Sequence, residues 1–319
     1  MITSHLVKIG VTRSSSWQAQ GYLICLVATV LLSTTGVLIR YLTETFQLPS
    51  LVLAFWRDLF VALGLAAVLG TISITRLQAE GKNIKFFILY GFILAVFNSL
   101  WTVSVAINGA AVATVLAYSS AAFTALLGWK FMQERLSPVK IIAVILSLTG
   151  CTLVSGAFDP AAWRINPWGI IIGLVSGLAY ACYSLMGKAS SNRHIFPWTA
   201  MLYSFAIAAG FLLIFNLAPM VITGTNPLPR FFWLEQSAVG WGVLVFLAVG
   251  PTIGGFGLYT VSLTHLPASV ANLIATLEPA MTAILAYLFL GEQLTGPQLA
   301  GGGLILAGVI LLRTLEGRG

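Results

Sequence analysis

Charge is what this sequence has least of. Only nine of its 319 residues are acidic and sixteen basic, 8% charged in all, where a soluble domain carries about a quarter. A water-facing surface cannot be built from so few charges. Histidine and cysteine occur three times each. Cys25, Cys151 and Cys182 all fall inside apolar runs, where a thiol packing between helices is the expected role, not a disulfide framework or a metal site. No cofactor and no metal is expected. Long polar stretches are missing too: the largest connection, 221–238, leaves no room for a soluble catalytic domain. Zinc-helix motifs, a serine nucleophile elbow and an acidic metal cluster are absent, which disfavours an intramembrane enzyme.

What the sequence has instead is hydrophobicity, 58% of residues and a mean hydropathy of +0.96. Apolar runs of about 20 residues, the length that crosses a 30 Å hydrocarbon core as helix, recur near 19–41, 50–70, 84–107, 110–132, 138–156, 168–189, 197–217, 239–265, 268–290 and 297–314. The expected fold is an all-α polytopic membrane protein with ten transmembrane helices. Residues 1–18 read as an N-terminal tail before an uncleaved first helix. With ten crossings, Lys8, Arg13, Arg76, Lys82, Lys85, Lys130, Arg135, Lys140, Lys188, Arg193, Arg313 and Arg318 fall on one side, and Arg40, Arg164 and Arg230 on the other. That bias places the richer side and both termini in the cytoplasm, in a multi-pass protein of the inner, cytoplasmic membrane. The net charge of +7 marks helix ends and forms no nucleic-acid patch.

The chain also repeats itself. Shifted by 158, Leu100–Gly150 matches Leu258–Gly308 at about 18 of 51 positions, with LWTVS against LYTVS and, in the linkers, QERL against GEQL. A shift of 148 pairs Arg40 with Lys188 and Pro49 with Pro197. Each unit, 19–157 and 168–314, then holds five helices, and an odd number of crossings turns the second unit over. Lys130, Arg135 and Lys140 in the first linker become Leu288, Gln293 and Gln298 in the second, as an external copy must lose its cations. Glu134 and Glu292 survive in both. They are expected to be interfacial carboxylates answering a neighbouring helix's N–H groups.

Together the two five-helix halves, PSLVLAFWRDLF in the second helix, QERLSPVK, and LEPAMTAILAYLFLGEQLTGPQLAGGGLILAGVIL at the end resemble the ten-helix EamA-type transporters of the drug/metabolite transporter superfamily. The resemblance implies a secondary transporter of inverted-repeat architecture, exporting small metabolites such as amino acids by alternating access through a central cavity. The first helix departs from the family pattern, with Ser33-Thr34-Thr35-Gly36 where a tryptophan–glycine pair is common.

Ionisable residues at membrane depth mark the candidate site, because a charge at a helix centre costs about 2.5–3.5 kcal/mol to insert. Arg57 lies about 12 Å in, counted from Pro49, and Glu278 about 15 Å in from the opposite face; Asp58 adjoins Arg57. Pro279 is expected to kink the ninth helix near Ala275. A zwitterion needs a cation for its carboxylate and an anion for its ammonium, which Arg57 and Glu278 supply. A Glu278 that binds and releases a proton would couple transport to protons. Trp56, Asn98, Trp101, Tyr118, Tyr180, Tyr259 and Asn272 stand at cavity-compatible depth, though aromatic residues also pack structurally and mark membrane interfaces. The alternative ligand classes are a lipophilic cation and a nucleotide-linked metabolite. The partners expected are a small-molecule substrate and the bilayer; the oligomeric state is not readable.

Overall fold

A computed structural model describes residues 3–72, 83–160, 167–223, 228–282, 284 and 295–316. The elements are all helical among these residues: α1 (Thr3–Ser33), α2 (Thr35–Thr45), α3 (Ser50–Ile72), α4 (Ile84–Tyr118), α5 (Ser120–Met132), α6 (Pro138–Val154), α7 (Pro167–Asn192), α8 (Pro197–Thr223), α9 (Leu228–Phe231), α10 (Ala238–Leu247), a π-helical segment (Ala248–Phe256), α11 (Gly257–His265), α12 (Ala268–Ala275) and α13 (Gly296–Glu316). Start signals act where chemistry places them. Prolines open α6, α7 and α8, a first-turn position where a missing N–H costs nothing. The Ser137 hydroxyl caps α6 by accepting the Lys140 N–H at 3.1 Å, and Ser237 does the same for Gly240 at the start of α10. Gln133, left-handed at φ 56°, ends α5.

Seven stretches of described residues are long and apolar enough to cross a membrane, and α5 and α6, with 13 and 17 residues, are shorter. Three boundaries differ from the sequence expectation. The first helix starts at Thr3 and breaks at Thr34. Helical backbone carries α4 across 108–109 to Tyr118, with a break at Ser119, yet Ser104 and Leu116 both meet the Cβ position of Gly173, so the chain reverses direction between them, as the sequence predicts. The helix expected over 268–290 is interrupted at Thr276 and Leu277. Each break carries a hydroxyl folded back on its own helix: Thr34 Oγ1 donates to Leu31 O at 2.7 Å, Ser119 Oγ to Leu116 O at 2.5 Å and Thr276 Oγ1 to Leu273 O at 2.6 Å, a competitor of the regular ladder, though the same bond at Ser176 and Ser204 leaves α7 and α8 unbroken. At the third break Pro279 has no N–H to give.

The most extensive packing joins α6 to α13 and α4 to α7, followed by α3 with α8 and α1 with α11 and the π segment. At the α6–α13 crossing the backbones nearly touch: a Cβ on Gly150 would stand 2.5 Å from Gly301 O, and one on Gly308 2.8 Å from Ala143 O. As residue numbers fall on α6 they rise on α13, so the two run antiparallel. Gly173 and Gly177 of α7 abut Leu116 and the Ser119 hydroxyl in the same way, the use expected of small residues between membrane helices. Exposed Leu23, Leu63, Ile145, Ile214, Phe246 and Ile310 present the apolar exterior that lipid requires.

Candidate functional site

A cavity with about 620 Å³ of unfilled space, its mouth included, opens beside the α1–α2 break. Four elements aim polar groups at it. From α3 comes Arg57, from α4 Asn98 and Tyr118, from the α1–α2 junction Thr35, and from the restart beyond α12 Glu278; Leu32, Gly36, Phe97, Trp101, Ala117, Tyr180 and Phe256 complete the wall. Each break thus delivers something. Thr35 and Gly36 follow the first interruption, Tyr118 precedes the second and Glu278 follows the third. Interrupted helices at membrane depth are tolerated only where they are buried in protein or line such a cavity.

The charges are arranged with care. Arg57 Nε donates to Asp58 Oδ1 at 3.2 Å, and Asn98 Nδ2 donates to Asp58 Oδ2 at 2.7 Å. Arg57 and Glu278 share the cavity without an ion pair between them, and the Tyr118 hydroxyl is the side-chain group set against the Glu278 carboxyl. The third break is braced from outside its own helix: Thr282 Oγ1 donates to Ser33 O and Glu278 O, both at 3.0 Å, and Cys151 Sγ lies 3.5 Å from Thr276 O.

Five of the residues expected at the site therefore line one cavity: Arg57, Glu278, Asn98, Trp101 and Tyr118, with Tyr180 beside them. Three do not. Trp56 donates through its indole N–H to Phe231 O at 2.7 Å and packs edge-on against Trp241, inside an aromatic cluster with Phe55, Phe60 and Phe232. Tyr259 and Asn272 belong to a fully buried chain of hydrogen bonds: Ser120 Oγ donates to Asn272 Oδ1 at 3.0 Å, Asn272 Nδ2 to Ser184 Oγ at 3.1 Å, and Ser184 lies 2.8 Å from the Tyr259 hydroxyl. That chain ties α5, α7, α11 and α12 together behind the Tyr118 and Tyr180 wall. Sequence reading missed Leu32, Thr35, Gly36, Phe97, Ala117 and Phe256. The polar interruption STTG in the first apolar run was a usable signal for Thr35 and Gly36; Phe97 and Phe256 carry none.

The family profile described as EamA-like transporter matches residues 19–156 and again 167–314. The chain belongs to that family. Among similar proteins are an uncharacterized transporter of Archaeoglobus fulgidus, 28% identical over 68% of this chain and 74% of its own length, and the inner membrane transporter YicL of Salmonella typhimurium, 26% identical over 92% and 95%. The threonine/homoserine exporter RhtA of Escherichia coli is 26% identical over 77% of each chain. One crystal structure shares the fold with a TM-score of 0.76, covering 94% of this chain and 98% of that one at 14% identity. This EamA-family chain is thus a multi-pass membrane transporter for a small molecule.

Proposed function

We propose that this EamA-family chain exports small zwitterionic metabolites, amino acids first among them, by alternating access through the cavity between α1, α3, α4, α7 and the 278–282 segment. One observation carries the reading: a cation and a carboxyl face the same enclosed space and are not paired with each other. A ligand carrying both charges completes both. The exporter RhtA among its relatives points to outward flux of the same chemical class.

In this reading ten spans form two five-helix halves, 19–157 and 168–314, inverted relative to each other, with both termini in the cytoplasm. Symmetric contacts support it. A shift of 158 residues turns Gly150 into Gly308 and Ala143 into Gly301, so the close approach of Gly150 to Gly301 and that of Gly308 to Ala143 are one contact made twice. A contact made twice between antiparallel helices implies a two-fold axis across them, in the membrane plane. The same shift carries the break at Ser119 onto that at Leu277 and puts Ser120 where the other half has Glu278. The α4–α7 and α1–α11 packings exchange likewise.

Uptake and efflux of an amino-acid panel by proteoliposomes tests the reading. Arg57→Ala should lower transport by at least tenfold, and Glu278→Gln should remove dependence on an imposed pH gradient. Failure of the unaltered protein to move any amino acid sinks the zwitterion assignment; full gradient dependence in Glu278→Gln sinks the proton coupling. One observation favours a second reading. Asp58 already answers Arg57, which leaves Glu278 as the uncompensated charge among aromatic rings, a setting suited to a lipophilic cation.

A further inference from the structure

Arg57 and Asp58 are consecutive on α3, where side chains of neighbours diverge by about 100°. The guanidinium nonetheless folds back so that Nε meets Asp58 Oδ1 at 3.2 Å, and Asn98 of α4 holds the far carboxyl oxygen at 2.7 Å. All three side chains are withdrawn from solvent, at 3%, 0% and 2% exposure. Arg57 and Asn98 reach the cavity wall; Asp58 stands behind them. We infer that Asp58 determines specificity by cancelling the charge of Arg57 while leaving its Nη edge free, so that the cavity accepts a carboxylate only on a molecule that also carries an ammonium. The inference deepens the zwitterion reading above and rests on it.

The physical basis is a division of the guanidinium. Its five N–H donors sit in a fixed fork. One, on Nε, is taken by Asp58; the described residues supply no acceptor for the Nη hydrogens, and that edge matches a carboxylate bidentately. Recognition by hydrogen-bond geometry therefore persists, while the net charge of the Arg57–Asp58 pair is zero and Glu278 repels any anion that lacks an ammonium. Discrimination against the wrong ligand comes from this repulsive element as much as from the attractive one.

Three probes on one carbon skeleton read the effect: L-leucine as zwitterion, N-acetyl-L-leucine as monoanion and leucinol as monocation, each measured by uptake into proteoliposomes and by ligand-induced thermal shift of purified protein. The unaltered protein should reject N-acetyl-L-leucine relative to leucine, and leucinol far less, because Glu278 offers its ammonium a partner. Asp58→Asn keeps an acceptor for Nε and removes the charge, with the Asn98 amide turned over so that its oxygen meets the new NH2, and should raise the ratio of monoanion to monocation at least tenfold. Arg57→Gln strands Asp58 and should move that ratio at least tenfold the other way. A purely structural pair would change amount and stability in both variants without opposite shifts in the ratio. Equal ratios in all three proteins overturn the inference, as does acceptance of N-acetyl-L-leucine by the unaltered protein on a par with leucine. Should leucine not be moved at all, the zwitterion reading fails by itself; opposite shifts of the two singly charged probes then still sustain the role of Asp58, and their absence still overturns it. If one variant does not fold, the shift in the other decides.

Discussion

Burying Arg57 in an apolar wall is tolerable because Asp58 is one residue away and Asn98 completes the second oxygen; a lone buried charge would cost several kcal/mol. Sequence depth alone located these ionisable groups. Which of them point inward together depended on rotamers no periodicity encodes, and Trp56, one position from Arg57, turned toward Phe231 instead. The glycines offer a sharper test at this scale. Alanine at Gly150 would set a methyl 2.5 Å from Gly301 O, whereas a methyl on Gly303 meets nothing within 4 Å. Gly150→Ala should therefore cost about 1–3 kcal/mol, as overpacking does, read as a fall in the detergent unfolding temperature, and Gly303→Ala should hold or raise that temperature, since alanine favours helix over glycine by up to about 1 kcal/mol.

Helices in this protein are built to stop short. Hydroxyls at Thr34, Ser119 and Thr276 turn inward onto carbonyls three residues back, and a cavity residue flanks each break, Thr35 after the first, Tyr118 before the second and Glu278 after the third. The helix before the third break, α12, is held at its start by another element: Glu134, in the linker after α5, accepts the Ala268 N–H at 2.8 Å, the Ser269 N–H at 3.4 Å and the Ser269 hydroxyl. Carboxylate at a helix N-terminus satisfies donors that have no partner within the helix and complements the positive end of the dipole. Lys140 stands 4.0 Å behind it. Glu134→Ala should cost about 0.5–2 kcal/mol, the range of a lost N-cap, and Glu134→Gln less, because the amide oxygen still accepts; thermal unfolding of both variants checks the order. The interfacial role of Glu134 was legible in its linker position. Its counterpart Glu292 lies outside the described residues.

At the scale of the whole molecule the proposed inversion is what an experiment must decide. Single cysteines at Lys130 and Thr295, both exposed, should react with an impermeant maleimide from opposite faces of sealed vesicles, in a background where Cys25 and Cys151 are buried and Cys182 is replaced. Reaction from one face for both would refute two inverted halves. The break at Ser119 shows why sequence boundaries drift in such chains: neither proline nor glycine announces it, and the bond from its hydroxyl to Leu116 O exists only in the folded chain.

Composition by itself determined that the chain lives in a bilayer, since so few charges cannot clothe a soluble surface, and the 158-residue repeat with its lost cations determined that it is built twice. Only the tertiary structure decided which polar residues meet. Gly173 and Gly177 let α7 close on Leu116 and Ser119, beside the cavity's Tyr118, and that closeness is a property of pairs of helices, invisible in either one alone.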